Sequence, residues 1–314
     1  MIENGRAGKT LLRSALVSLT MKDNRQLFLP PRVFAGLEPP HSDLKSAKVV
    51  VLPVPYDGTT EWQSGARHGP QSIIDASQYL ELYDLELDCE IYQVGIHTLP
   101  EVEPVTSSPE DMINRVYHIA RGLINQGKFV VMLGGEHSLT LGAARAFKEA
   151  FPGLCVLQLD AHADLRNEYL GSSYSHACVM RRIHELGPIT QVGIRSLSRE
   201  EKQFIIQNKL PVFYMPALTE DKNFDKQMLS SLGGDVYVTI DADVLDPSIM
   251  PAVGTPEPGG LGWQQLLGII KTVAAHKRIV GFDLMEFCPR EGSYPYAFLL
   301  AKLAYRFMGY IMPR

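Results

Sequence analysis

From Lys48 onward, short apolar runs rich in β-branched residues alternate with longer stretches of mixed polarity. The runs are Val49–Val54, Phe129–Leu133, Cys155–Leu159, Gln191–Ile194, Val212–Tyr214, Val236–Ile240 and Ile279–Leu284, with a weaker one at Ile91–Ile96. Most are apolar throughout, as strands covered on both faces are. Helix-length stretches lie between them: Pro109–Gln126, Ser138–Ala150, His176–Leu186, Glu200–Asn208 and Trp263–His276. In the last, Leu266, Leu267, Ile269, Ile270 and Val273 form one apolar side. Such alternation implies right-handed βαβ crossovers and an α/β fold around a mostly parallel sheet. No 20–50-residue period and no Ser/Gly linker divides the chain, so residues 36–314 are expected to form one domain. Residues 1–35, with Arg6, Lys9, Arg13 and the Pro30-Pro31 pair, read as a mobile N-terminal extension.

Charge and cysteine usage exclude some classes. The 314-residue chain carries 30 basic and 35 acidic side chains, a formal net charge of −5. It has no basic stripe of the kind a nucleic-acid binder presents. No run of about 18 apolar residues occurs, so no membrane-spanning helix is expected. The four cysteines are widely spaced, with no CxxC pair. A chain of this size builds a core without disulfides, and Cys155 inside an apolar run reads as a buried thiol. A reducing compartment, the cytoplasm, is the expected location.

In a sheet of this kind, ligands bind beyond the carboxyl ends of the strands. Gly134-Gly135-Glu136-His137-Ser138 follows the second main run, and Asp160-Ala161-His162-Ala163-Asp164 the third. Alternate side chains leaving a strand face one way, so Asp160, His162 and Asp164 converge. Asp241-Ala242-Asp243 ends Val236–Ile240 in the same fashion, and Glu286 lies beyond Ile279–Leu284. Packing carboxylates together is costly without positive charge among them. Six candidate ligands, His137, Asp160, His162, Asp164, Asp241 and Asp243, are too many for one four-coordinate zinc. They suit two divalent ions about 3.5–4 Å apart with shared carboxylates. Carboxylate and imidazole without thiolate favour manganese or a similar metal.

These segments together resemble the ureohydrolase family of arginases and agmatinases. The matching motifs are GGEHS at Gly134–Ser138, DAHAD at Asp160–Asp164, the stretch Thr239–Gly260 and DLME at Asp283–Glu286. The Pro55–Pro70 stretch, with Gly65-Ala66-Arg67 and Gly69-Pro70, also fits. The resemblance covers roughly residues 48–310. It implies a three-layer αβα sandwich and hydrolysis of a guanidino group to urea. It further implies two manganese ions per subunit, or nickel or another divalent metal. One would be held by His137, Asp160, Asp164 and Asp241, the other by Asp160, His162, Asp241 and Asp243. Asp164 would also serve catalysis, Glu286 would pair with the guanidinium, and His176 would shuttle a proton. A homo-oligomer, trimer or hexamer, is implied as well.

The substrate tail is read from the loops. Arg166 stands where arginases carry an Asn, and Arg166–Tyr174 looks like the agmatinase branch, which yields putrescine and urea. Arg166 itself would favour a carboxylate tail, as in 4-guanidinobutyrate, whereas Glu168 would either neutralise Arg166 or face the amine of the tail. The segment Thr60-Glu61-Trp62-Gln63 departs from the family pattern and is placed at the mouth, with Trp62 packed on the tail or filling core. Alternatives are another guanidino-acid ureohydrolase, an arginase, a single-zinc deacetylase-like hydrolase needing only Asp160, His162 and Asp243, and a non-catalytic binder.

Overall fold

In the computed structural model, which describes residues 32–312, ten strands occur. They are β1 (Val49–Val54), β2 (Tyr83–Asp84), β3 (Cys89–Glu90), β4 (Ile96–Thr98), β5 (Phe129–Gly134), β6 (Cys155–Leu159), β7 (Ile189–Ile194), β8 (Val212–Tyr214), β9 (Asp235–Asp241) and β10 (Arg278–Met285). Eight form one sheet in the order β4-β1-β5-β10-β9-β6-β7-β8, and β2 and β3 pair separately. Every pairing in the large sheet is parallel.

The alternation of side chains along each strand feeds two cores. Val49, Val51, Val131 and Leu133 point to one face, with residues of the helices Gly69–Ser77, Phe224–Ser231, Trp263–His276 and Tyr294–Ile311. Val50, Leu52, Val130 and Met132 point to the other, toward Pro109–Asn125, Thr140–Ala150, Val179–Leu186 and Arg199–Asn208. Both faces are covered, which is why the strands read as unbroken apolar runs. The αβα expectation holds.

The chain leaves the sheet centre after β5, adds β6, β7 and β8 outward, then returns to insert β9 and β10 between β5 and β6. That reversal opens a crevice at the strand ends. It also makes neighbours of the four strands that carry the acidic motifs. Leu133, Leu284, Ile240 and Leu159 form one row across β5, β10, β9 and β6. All four are buried.

One expected strand differs. Ile91–Val94 is a turn of 3₁₀ helix, and the strand is Ile96–Thr98. Gly95, at φ 76, ends that turn and redirects the chain into pairing with β1. Ala47 lies so close that a side chain at Gly95 would strike it. The expected extension, residues 1–35, lies outside the described residues except for 32–35. There, Phe34 and Ala35 are buried, with their N–H groups donating to Thr98 Oγ1 and Ser77 Oγ. All four cysteines are free, and Cys155 is buried. Among the described residues no helix is long and apolar enough to cross a membrane.

Gly135 carries a close approach on which the crevice depends. A methyl group there would collide with the Tyr56 carbonyl, whose oxygen accepts the Glu136 N–H. The Gly135 carbonyl accepts the Glu286 N–H at 2.8 Å. Gly135→Ala is expected to destabilise the protein by at least about 1–3 kcal/mol, as overpacking does. Chemical denaturation measures this, and an unchanged midpoint would show slack at this contact.

Candidate metal centre and active site

One residue beyond the apolar row lie Gly134, Met285, Asp241 and Asp160. Parallel register therefore sets Asp160 beside Asp241 at the crevice floor. His137 follows β5 on a short 3₁₀ turn and points its Nδ1 between them. That atom lies 3.1 Å from Asp160 Oδ2, 3.3 Å from Asp164 Oδ2 and 3.3 Å from Asp241 Oδ2. It is fully buried and makes no hydrogen bond.

A buried hydroxyl relay explains why. Thr140 Oγ1 donates to Asp283 Oδ2 at 2.9 Å. Its oxygen is then free to receive the Thr239 hydroxyl at 3.3 Å. Thr239 Oγ1 in turn accepts from His137 Nε2 at 2.7 Å. The proton of a neutral His137 therefore sits on Nε2, and Nδ1 presents a lone pair to three carboxylate oxygens. Without a metal, burial opposes the charged His137 imidazole, yet the three carboxylates raise it well above its ordinary value, and a divalent ion at this point would take the place of that proton.

A second group forms alongside. His162 Nδ1 lies 2.8 Å from Asp243 Oδ2 and 3.8 Å from Asp160 Oδ1. Thus His137, Asp160 and Asp241 make one cluster, and Asp160, His162 and Asp243 the other, with Asp160 common to both. Backbone donors hold the carboxylates: the Ala161 N–H binds Asp243, the His162 N–H binds Asp160 and the Asp243 N–H binds Asp241.

Without metal, protons must offset this charge. Burial, then Asp243 and Asp164, push the Asp160 carboxyl up to about 7. Burial, then Asp243 and Asp160, raise Asp241 well above the carboxylate range. Burial disfavours the charged form of His162, but Asp243 and Asp160 outweigh it and lift the imidazole to about 11. Asp243 is opposed by burial as well, yet His162 brings it down to about 2.

The clusters open into a cavity of about 270 Å³ whose lining includes His162, Asp164, Asp241, Asp243, Glu286, His176, Arg166, Glu61 and Trp62. Glu286, at φ 62, turns its Oε1 onto the His137 N–H at 2.6 Å. Burial, then the nearby Glu136, push its carboxyl well above the usual range. His176 Nδ1 meets Thr59 Oγ1 at 3.0 Å. Thr59 spends its own hydroxyl proton on Glu136 Oε1 at 2.7 Å, so it accepts from His176. His176 Nε2 then faces the cavity, 3.3 Å from Glu61 Oε2. Arg166 lies over the Tyr169 ring, 4.9 Å from its centroid. Trp62 is 66% exposed, at the rim and not in the core. Glu168 is exposed and lies outside the lining.

Several supporting residues escape a reading by strand ends. Gln158 donates to Asp160 Oδ2 at 2.7 Å, and Gln191 donates to the Ala163 carbonyl. Gln158, Gln191, Thr239 and Asp283 are fully buried polar residues inside apolar strands, and that anomaly is their sequence signal. Arg195 has no such signal. Its guanidinium donates to the Asp243 carbonyl at 2.6 Å and the Glu257 carbonyl at 2.8 Å, tying the Asp243 segment to the following loop. Asp246 fixes that loop from within by accepting the Gly259 and Gly260 N–H groups.

Comparison with known proteins bears directly on this geometry. The sequence model of the arginase family matches residues 47–309. N(1)-aminopropylagmatine ureohydrolase of Synechocystis is 40% identical over 272 residues, covering 84% of this chain and 89% of the relative. Agmatinase of Pyrococcus horikoshii is 40% identical over 256 residues, covering 80% and 87%. The crystal structure of agmatine ureohydrolase of Thermoplasma volcanium superposes with a TM-score of 0.82 at 32% identity, covering 92% and 97%.

Metal affinity should rise with pH. The raised pKa of Asp160 adds stability in full below its ordinary value of 3.8, and this is lost as pH rises through about 7. A divalent ion needs the ionised carboxylates, so it competes with those protons. The increase in Tm on adding manganese is therefore expected to be larger at pH 8 than at pH 6. Equal increases at the two pH values would show that Asp160 holds no proton in competition with metal.

Proposed function

The chain belongs to the arginase family of ureohydrolases, and from that premise we propose that its substrate is agmatine, hydrolysed to urea and putrescine. The observation that carries this reading is Glu286. Its carboxylate lines the cavity beside the ligand cluster, and among the described residues no lysine or arginine pairs with it. A planar guanidinium is the cation such a carboxylate binds side by side.

His137, Asp160, Asp164 and Asp241 would hold one divalent ion, and Asp160, His162, Asp241 and Asp243 the other, manganese suiting this mixture of donors. When bound, the two ions offset the carboxylates and acidify water at the site. Glu286 orients the guanidinium so that its carbon faces the ligand cluster. Asp164 contributes an oxygen to the same floor, 3.3 Å from His137 Nδ1. His176 delivers a proton from Nε2 to the leaving amine, because its Nδ1–H is committed to Thr59. Trp62, Arg166 and the rim segments receive the tail. Trimeric or hexameric assembly and a cytoplasmic location belong to the same proposal.

A second reading, the aminopropyl derivative of agmatine, is favoured by the name of the Synechocystis relative. The cavity rim at exposed Trp62 leaves room for a longer tail.

Urea release by the manganese-loaded enzyme is expected to be fastest with agmatine or its aminopropyl derivative. It should be slower with arginine, 4-guanidinobutyrate and guanidinopropionate. Glu286→Gln should lower kcat/KM at least about 100-fold, as loss of a desolvated charge pair does. Its Tm should hold or rise, because the repulsion from Glu136 disappears. A parallel collapse of Tm and activity would assign Glu286 to structure instead.

A further inference from the structure

The acids that line the cavity are Glu61, Asp164, Glu201, Asp241, Asp243 and Glu286. Asp241 and Asp243 belong to the ligand clusters, Asp164 lies 3.3 Å from His137 Nδ1, and Glu286 faces the proposed guanidinium site. Glu201 is committed to the backbone: its carboxylate accepts the Leu165 N–H at 2.9 Å and the Ser198 N–H at 2.6 Å. Glu61 remains. It accepts the Tyr169 hydroxyl on Oε1 at 3.1 Å and sits 3.3 Å from His176 Nε2 on Oε2. Its side chain is 32% exposed, at the outer end of a wall that runs from Glu286 past Glu136, Thr59 and His176.

Arg166, the one lysine or arginine in the lining, makes no ion pair with it among the described residues, where Glu61 pairs with His176. Tyr169 touches both charges: its ring lies under the Arg166 guanidinium and its hydroxyl donates to Glu61. Burial and the Glu61 hydrogen bond push the Tyr169 phenol up, so it stays a donor. A carboxylate held by one hydroxyl and one imidazole keeps acceptor capacity for a further cation.

We propose that Glu61, set by Tyr169 and His176 and paired with no lysine or arginine among the described residues, selects substrates whose tail ends in an ammonium group. This rests on the reading that the guanidino end lies at Glu286. It reassigns the tail contact from Glu168, which lies outside the cavity, to a carboxylate on the opposite loop. It also gives His176 a neighbour whose charge the bound tail shares.

The test is Glu61→Gln in the manganese-loaded protein, assayed by urea release from agmatine and 4-guanidinobutyrate. The two have similar length and opposite tail charges. Glutamine keeps an oxygen for Tyr169 and removes the charge. The expected result is a rise in KM for agmatine of about tenfold or more, the scale of a partly exposed charge pair. The kcat should change far less, and 4-guanidinobutyrate should improve as a like charge is removed. An unchanged ratio of kcat/KM between the two substrates overturns the proposal. So does a fall in kcat alone, which would make Glu61 a positioning residue for His176. A wild-type enzyme that releases urea from neither compound, nor from the aminopropyl derivative of agmatine, overturns the guanidino reading, and the tail proposal with it.

Discussion

Everything at the crevice depends on one unfavourable arrangement: buried carboxylates set around an imidazole lone pair. Asp160, Asp164 and Asp241 each bring an oxygen within 3.3 Å of His137 Nδ1. No neutral environment supports that density of acceptors, so the fold is arranged to present them to cations. The Thr239–Thr140–Asp283 relay denies Nδ1 a proton of its own when His137 is neutral. Gln158 and the backbone N–H groups of Ala161, His162 and Asp243 hold the carboxylates in place. The apolar row Leu133–Leu284–Ile240–Leu159 seals the floor beneath. Full burial of a leucine or isoleucine contributes roughly 1.5–3 kcal/mol. That row therefore helps the sheet tolerate the cost of the acids one residue above it.

Two of the six non-glycine residues with positive φ among the described residues fall at the same place. Asp164 and Glu286 both adopt positive φ, at 52° and 62°. For residues other than glycine such conformations cost on the order of 1–3 kcal/mol each and persist only when their surroundings enforce them. Enforcement is visible. The Asp164 carbonyl accepts the Met180 and Arg181 N–H groups, and the Glu286 N–H is held by Gly135. Glycine would relieve the strain at either position but would bring no carboxylate to the floor. The strained turns are what redirect these two side chains from the strand direction toward the cluster.

The candidate ligand residues stood out in the sequence because clustering of acids and histidines just past strand ends is a local property. Asp160 and His162 meet in one cluster just past β6, while Asp164 reaches His137 through its positive-φ turn. The αβα architecture was legible for a similar reason, since unbroken apolar runs demand cover on both faces. Which strands neighbour one another is not local. Nothing within β5 or β6 announces that β9 and β10 will slot between them, yet that insertion brings His137 and Glu286 to the aspartates. The Ile91–Ile96 run misled because composition outweighed one residue, Gly95, whose conformation ends the turn. The loops were least legible. Glu168 lies close to the DAHAD motif in sequence but faces outward, whereas Glu61, about a hundred positions upstream, lines the cavity.

That contrast separates two kinds of constraint. The floor is fixed several times over by register, relay and backbone donors, so changing one ligand disturbs its neighbours. The rim is fixed lightly: Glu61 is held by one tyrosine hydroxyl and one imidazole, and Trp62 stands mostly in solvent. A change at the rim leaves the charge balance of the floor intact. A side chain at the rim can therefore change without rebuilding the ligand clusters, and relatives named for agmatine and for its aminopropyl derivative are each 40% identical to this chain.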